Sequence, residues 1–246
     1  PEGNPFLGYT LTGRSPSSQA RELRQEQPTR TIRTEVTDPE QLASGSAALL
    51  IYPALMPVLG VLAASNGVQT ELIYSVLRNN VDSRNPEKIL RNAFKEPHWR
   101  YDKGNGKKGD RWIDITTYEP DDPNFTPRIS ALLIDDNAAT HIVWRGERGK
   151  KQELYERFQV EPGQAKMITT YKGGNETPLT PSTGNLLSLS IVGESINTIA
   201  DSLYQAIKGG SQPEDNFRVA AAVALLNRKD SGKLEIALRN RSDLGE

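Results

Sequence analysis

The sequence predicts an α+β fold in which two packed, mainly antiparallel sheets are flanked by helices. Three observations lead there. Apolar residues fall in many short alternating or compact runs of strand type. Helical patterns are few. They are interspersed among the strands without the regular alternation of a doubly wound parallel sheet.

Taken in order, residues 6–12 alternate as a first strand and residues 31–36 as a second. Segments 47–52 and 58–64 read as neighbouring strands joined by Pro53-Ala54-Leu55-Met56-Pro57, because proline cannot donate to a central ladder. A helix is expected over 70–77. Another opens at Asn85-Pro86-Glu87, a cap followed by proline in the first turn, and carries Ile89, Leu90 and Phe94 on one face. Residues 97–110 read as a mobile loop or insertion, and their Gly104-Asn105-Gly106-Lys107-Lys108-Gly109 stretch lacks the spacing of a phosphate-binding loop. Further strands are expected at 112–118, 129–134, 141–145, 154–160, 166–171 and 234–239. Ser195 caps a helix with Ile196, Ile199, Leu203 and Ile207 at helical spacing, stopped by Gly209-Gly210. Residues 216–227 are apolar almost all round, which predicts a helix buried between layers or against a partner subunit.

A chain of 246 residues has room for one large domain or two small ones, and 36% apolar residues imply long polar loops. The net charge of −1 supplies no bulk attraction to nucleic acid, so no such partner is expected. No run reaches the roughly 18 apolar residues of a membrane span, and Pro1-Glu2-Gly3-Asn4 does not open a signal peptide. No membrane partner and a cytoplasmic location are therefore expected. Cysteine is absent from the sequence, which removes disulfides and thiolate chemistry. His98 and His141 show neither HxH nor HExxH spacing, and no metal is expected. Catalysis is left to Tyr, Arg, Lys, Glu, Asp, Asn or Ser.

Four segments can carry it. Between Arg14 and Arg33 lie five arginines and no lysine, which suits bidentate anion binding but also describes an ordinary solvated loop. Ser65-Asn66-Gly67-Val68-Gln69-Thr70 reads equally as a tight turn or as a ring of N–H, amide and hydroxyl groups around an anion. The stretch from Tyr118-Glu119-Pro120 through Pro123-Asn124 to Thr126-Pro127-Arg128 is stiffened by three prolines; it is either a well-built surface loop or a rigid site scaffold. Tyr52 ends an apolar run, as many core aromatics do.

Together these segments resemble the archaeal-type IMP cyclohydrolase family and its bacterial relatives. The matching pieces are Thr12-Gly13-Arg14-Ser15 with Arg21, Ile51-Tyr52, Ser65 through Thr70, and Tyr118-Glu119 through Asn124 to Thr126-Pro127-Arg128-Ile129. Thr169-Thr170-Tyr171 and the Ala-rich run after Phe217 also sit where the family has similar segments. The likeness spans residues 5–227, and the TPRI loop is its most specific piece. It implies a four-layer αββα sandwich of the N-terminal-nucleophile-hydrolase type, here as one domain over 1–246 with an insertion at about 78–111. Pro1 offers no hydroxyl or thiol nucleophile. The stretch from Arg78 to Arg111 is longer than in compact family members, and the family's usual strand before residue 6 is missing.

The implied reaction is dehydrative ring closure of 5-formamidoimidazole-4-carboxamide ribonucleotide to inosine monophosphate in purine biosynthesis, without metal or organic cofactor. The resemblance implies Tyr52, Glu119 and Arg14 as the catalytic set. It implies substrate contacts from Arg14, Ser15, Arg21, Asn66, Gly67, Thr70, Asn124, Thr126 and Arg128. Arg14 and Arg128 would anchor the substrate, one at the phosphate and the other near the base or oxyanion. A purine-type nucleotide is the expected partner, and a homo-oligomer is plausible. The alternatives are a relative acting on another purine-like or specialised-metabolite substrate, and a non-catalytic nucleotide-binding protein.

Overall fold

The computed structural model describes residues 3–44, 47–79, 83–103, 109–174, 176–209, 216–227 and 233–245. The strands are β1 (Phe6–Thr12), β2 (Arg21–Gln25), β3 (Ile32–Val36), β4 (Pro53–Val58), β5 (Val61–Ser65), β6 (Trp99–Asp102), β7 (Arg111–Asp114), β8 (Arg128–Ile134), β9 (Asn137–Arg145), β10 (Lys151–Gln159), β11 (Gln164–Met167), β12 (Leu187–Ser190), β13 (Arg218–Leu226) and β14 (Leu234–Asn240). The helices are α1 (Pro16–Gln19), α2 (Pro39–Ser44), α3 (Ala47–Leu50), α4 (Thr70–Asn79), α5 (Pro86–Ala93), α6 (Ile196–Ala206) and α7 (Arg241–Leu244).

Seven strands form a large sheet in the order β10-β9-β8-β5-β4-β3-β2, and β1-β13-β14 form a small one. All the paired strands of both sheets run antiparallel. Side-chain alternation explains the layering. In β5, Leu62 and Ala64 face the small sheet, where Tyr9, Leu11, Ala220, Ala222 and Ala224 meet them. Val61 and Ala63 face the other way, onto Ile73 and Leu77 of α4 and Ile89 and Leu90 of α5. On the far side of the small sheet, Val223 and Ala237 pack against Ile199 and Ala200 of α6. The order is therefore helix, sheet, sheet, helix, the αββα sandwich that the sequence predicts.

The two sheets are also joined at their edges. Asn240, at the end of β14, accepts from the Leu23 N–H of β2 at 2.8 Å and donates to the Leu23 carbonyl at 3.1 Å. That buried amide replaces two ladder hydrogen bonds the edge strand would otherwise lack. The outer helices are set by ordinary caps: Asn85 accepts from Lys88 N–H, and Ser195 with Thr198 forms a capping box. His141 of β9 is stacked between Phe94 and Tyr155, with centroids 4.3 and 4.4 Å away, which clamps the end of α5 onto the large sheet.

Several elements differ from the sequence reading. The run 216–227, expected as a helix, is strand β13 at the centre of the small sheet. Both of its faces are covered, so it lacks the polar alternation of a half-exposed strand, and its alanines mimic a helix former. Its apolar character is thus accounted for within the chain. Residues 47–52, expected as a strand, include helix α3, and Pro53 to Pro57, expected as a turn, belong to strand β4. Two prolines are tolerated there because β4 meets β3 at only two registered positions, with an irregularity between them. The expected strand 58–64 is broken by the turn Leu59-Gly60, both residues having positive φ. Within 97–110, expected as a loop, β6 pairs with β7. Residues 104–108 of its glycine- and lysine-rich stretch lie outside the described residues, as does Gly210 of the expected helix stop. Strand β2, polar at most positions, was not expected, nor was β12.

The small alanines of β13 set the spacing between the sheets. Ala222→Leu is expected to destabilise the protein by about 1–3 kcal/mol through overpacking, measured by urea unfolding. An unchanged midpoint would show that the layers can part there without strain.

Candidate active site

The Asn66-Gly67 turn joins β5 to α4 and is tied across to the start of β8. The Asn66 side chain donates to the Pro127 carbonyl at 2.8 Å and accepts from the Ile129 N–H at 2.8 Å. Gln69 donates to the Asn66 oxygen at 3.1 Å and presents its own oxygen to Arg128 Nη1 at 3.1 Å. A side chain at Gly67 would run into Arg128 Nη1 and the Gln69 oxygen, so glycine leaves room for the guanidinium. Thr70 donates to the Gly67 carbonyl at 3.1 Å and closes the first turn of α4.

Arg128 is 1% exposed. Its Nη1 also lies 3.3 Å from the Glu119 carboxylate, but its Nε and Nη2 are buried without a hydrogen-bond partner. Such groups are costly to leave open, and no acceptor among the described residues meets them. Glu119 is itself buried, and its carboxyl is pushed up to about 7. Burial is the main cause; the positive charge of Arg128 opposes it and the negative charge of Asp121 reinforces it.

Around this pair lie three further groups. Asp121 accepts from the Thr126 N–H at 2.7 Å and from the Thr126 hydroxyl at 2.5 Å, and burial raises its carboxyl above the usual range. The Tyr171 hydroxyl is 2.5 Å from Thr126 Oγ1, and burial pushes it up to about 12. Across the inter-sheet core, the hydroxyls of Tyr9 on β1 and Tyr52 meet at 2.9 Å. Tyr52 is held by Thr34, whose hydroxyl accepts from the Tyr52 N–H at 3.0 Å. Burial, the neighbouring Tyr52 and the charge of Glu119 keep Tyr9 protonated well above the usual tyrosine range, while Arg21 acts in the opposite direction.

Of the residues singled out from sequence, Glu119, Thr126, Arg128, Tyr52 and Arg21 surround this cluster. Arg21 is half-buried and donates to the Ser18 carbonyl at 3.0 Å. Arg14 is exposed, with its guanidinium 5.1 Å from the Phe217 ring; its charge reaches Tyr171 and Glu176. Ser15 caps the short helix α1 by accepting from the Ser18 N–H. Asn124 accepts from the Leu179 N–H at 3.3 Å and links the 118–129 loop to the 171–182 segment. Tyr9, Gln69, Asp121 and Tyr171 complete the cluster and were not named as site residues, although Gln69, Asp121 and Tyr171 lie in the segments that carry the resemblance. The signal for Tyr9 was a tyrosine on the apolar face of an alternating strand.

Residues 111–230 match the family model described as IMP cyclohydrolase-like protein. That segment is similar to the IMP cyclohydrolase-like family. It contributes Glu119, Asp121, Thr126, Arg128 and Tyr171; Tyr9, Arg21, Tyr52 and Gln69 come from the chain before it. A comparison with curated proteins gives no match. Among the described residues, no helix is long and apolar enough to cross a membrane.

The raised Glu119 carboxyl links stability to pH. The folded group takes up its proton at about 7 and an unperturbed carboxyl at 4.5, so the folded protein binds the proton more tightly. Stability from that proton is complete below pH 4.5 and is lost as pH rises through about 7. Glu119→Gln removes the titration. Its stability relative to wild type is expected to improve by roughly 3 kcal/mol between pH 4 and pH 8, measured by urea unfolding at both. A difference that does not vary with pH would mean that the carboxyl titrates normally.

Proposed function

We propose that the protein is an IMP cyclohydrolase that closes 5-formamidoimidazole-4-carboxamide ribonucleotide to inosine monophosphate with loss of water. The observation that carries this reading is the buried Arg128–Glu119 pair, with two guanidinium N–H groups left open beside a carboxyl that titrates near neutrality. It lies in the cyclohydrolase-like segment.

The reaction asks for three things. The carboxamide nitrogen must lose a proton as it attacks the formyl carbon, the formyl oxygen must be stabilised as it gains charge, and that oxygen must leave as water. Both reacting groups sit on one imidazole, so orientation removes much of the barrier. Glu119, titrating near 7, is suited to take the carboxamide proton and pass it to the formyl oxygen; the second proton of the departing water comes from the formamido N–H, lost as the ring C=N bond forms. The open N–H groups of Arg128 supply donors in a water-poor setting where such bonds are strong. Tyr52 donates to the formyl oxygen, with its hydroxyl positioned by the Tyr9 hydroxyl 2.9 Å away. Arg14 and Arg21 anchor the substrate at the rim. Thr126 and Asn124 line it, and Asn66, Gly67 and Thr70 hold Arg128 in place.

The test is ultraviolet-monitored turnover of the formamido nucleotide, with inosine monophosphate identified as product. Tyr52→Phe is expected to lower kcat by about 10²–10⁴-fold with the fold intact. Tyr9→Phe should lower kcat by about tenfold in the wild-type background and have no further effect in Tyr52→Phe, because it acts through Tyr52. With Glu119 as the base, kcat should rise with pH through about 7 and lose that limb in Glu119→Gln. Absence of inosine monophosphate with the wild-type protein, nucleotide still bound, would overturn the reaction and leave a different substrate.

A further inference from the structure

The turn after β9 forms one wall of a cleft of about 400 Å³, open to solvent and distinct from the buried cluster. Arg145 and Arg148 line it together with Phe125, Pro178 and Leu179. The Arg145 guanidinium is fixed over the Phe125 ring, 3.9 Å from the centroid. Gly149, at φ +73°, makes room for it, since a Cβ there would approach Arg145 Nη2 to 3.3 Å. Arg148 takes the left-handed conformation at φ 57°, which turns the chain back sharply beside the cleft. Among the described residues, neither guanidinium has a carboxylate partner at ion-pair distance.

This cleft is built onto the loop that carries the buried cluster. The Tyr118 hydroxyl donates to the Gly149 carbonyl at 3.1 Å and so ties the arginine turn to the residue beside Glu119. Phe125, in the lining of the cleft, is followed by Thr126, which is bonded to Asp121 and lies against Tyr171. One short loop thus faces a dry polar cluster on one side and an open cationic cleft on the other. A ligand with a planar reacting group at one end and an anion at the other fits that arrangement. Guanidinium groups bind phosphate oxygens through paired, charge-assisted hydrogen bonds.

We propose that Arg145 and Arg148 bind the phosphate monoester of the substrate in this cleft, leaving the base for Arg128 and Glu119. The assignment rests on the nucleotide reading above and places the phosphate at the turn after β9 rather than at Arg14 or Arg128.

Calorimetric binding separates the outcomes. With the double variant Arg145→Ala/Arg148→Ala, inosine monophosphate and ribose 5-phosphate should each bind about ten- to hundredfold more weakly than to wild type. Inosine, which lacks the phosphate, should bind unchanged, and KM should rise. Inosine monophosphate binding the double variant as tightly as wild type would overturn the proposal. Inorganic phosphate binding as tightly as ribose 5-phosphate would also overturn it, by making the cleft a general anion site. If wild type forms no inosine monophosphate yet binds ribose 5-phosphate through these arginines, the cleft assignment stands and the reaction falls.

Discussion

Burying the positive charge of Arg128 is the constraint around which one end of the sandwich is organised. A guanidinium at 1% exposure needs an opposite charge and neutral acceptors close by, because removing it from water costs several kcal/mol. Glu119 supplies the charge and Gln69 supplies an acceptor. Holding those two in place determines the surroundings: the Asn66-Gly67 turn must pass close to the guanidinium, and the Asn66 amide must lock that turn to the first residues of β8. A purely structural network of this kind would be fully satisfied, since a half-satisfied one is worse than an apolar core. Among the described residues, the Nε and Nη2 of Arg128 stay open in that network, which is where the proposed substrate enters it.

The two-sheet core gives the second half of the site its rigidity. Tyr9 and Tyr52 belong to the same apolar cluster as Ala220, Ala222 and Ala224. Small residues on β13 allow the sheets to approach, and the tyrosine rings fill the volume at the edge of that contact. Their hydroxyls then have few directions left and meet each other at 2.9 Å. A hydrogen bond fixed by packing needs no reorganisation when a ligand arrives, which is the property that electrostatic stabilisation of a transition state requires.

The layered fold was legible because the outer faces carry clear signals. The caps at Asn85 and Ser195 and the alternation at β1 each reflect local chemistry that tertiary contacts did not override. β13 was misread because a strand covered on both faces loses the polar half of its pattern, and periodicity alone does not separate it from a buried helix. β4 was misread because its prolines obey a rule for fully paired central strands, and its pairing with β3 is short and irregular. At the site, Glu119, Arg128, Thr126 and Tyr52 stood out as polar groups in stiff or apolar segments. Tyr9 and Gln69 did not, because their importance comes from partners 43 and 59 positions away. Single-sequence patterns carry no information on such pairs.

The division between a dry cluster and a wet cleft has a physical logic for the proposed reaction. Charges buried with Arg128 and Glu119 act through a low local dielectric and change strongly in strength with small displacements. Exposed guanidiniums such as Arg145 and Arg148 are screened, tolerate small displacements, and bind a strongly charged group without desolvating it fully. Binding energy gathered at such an unreactive end can hold the rest of a substrate in the orientation the dry end needs. The loop from Tyr118 to Thr126 is what makes that transfer possible, since it contacts the arginine turn at Gly149 and carries Glu119 and Thr126 in the cluster. Pro120, Pro123 and the Asp121–Thr126 bonds stiffen it. A flexible loop in the same place would let the two ends move independently, and the orienting advantage would be lost.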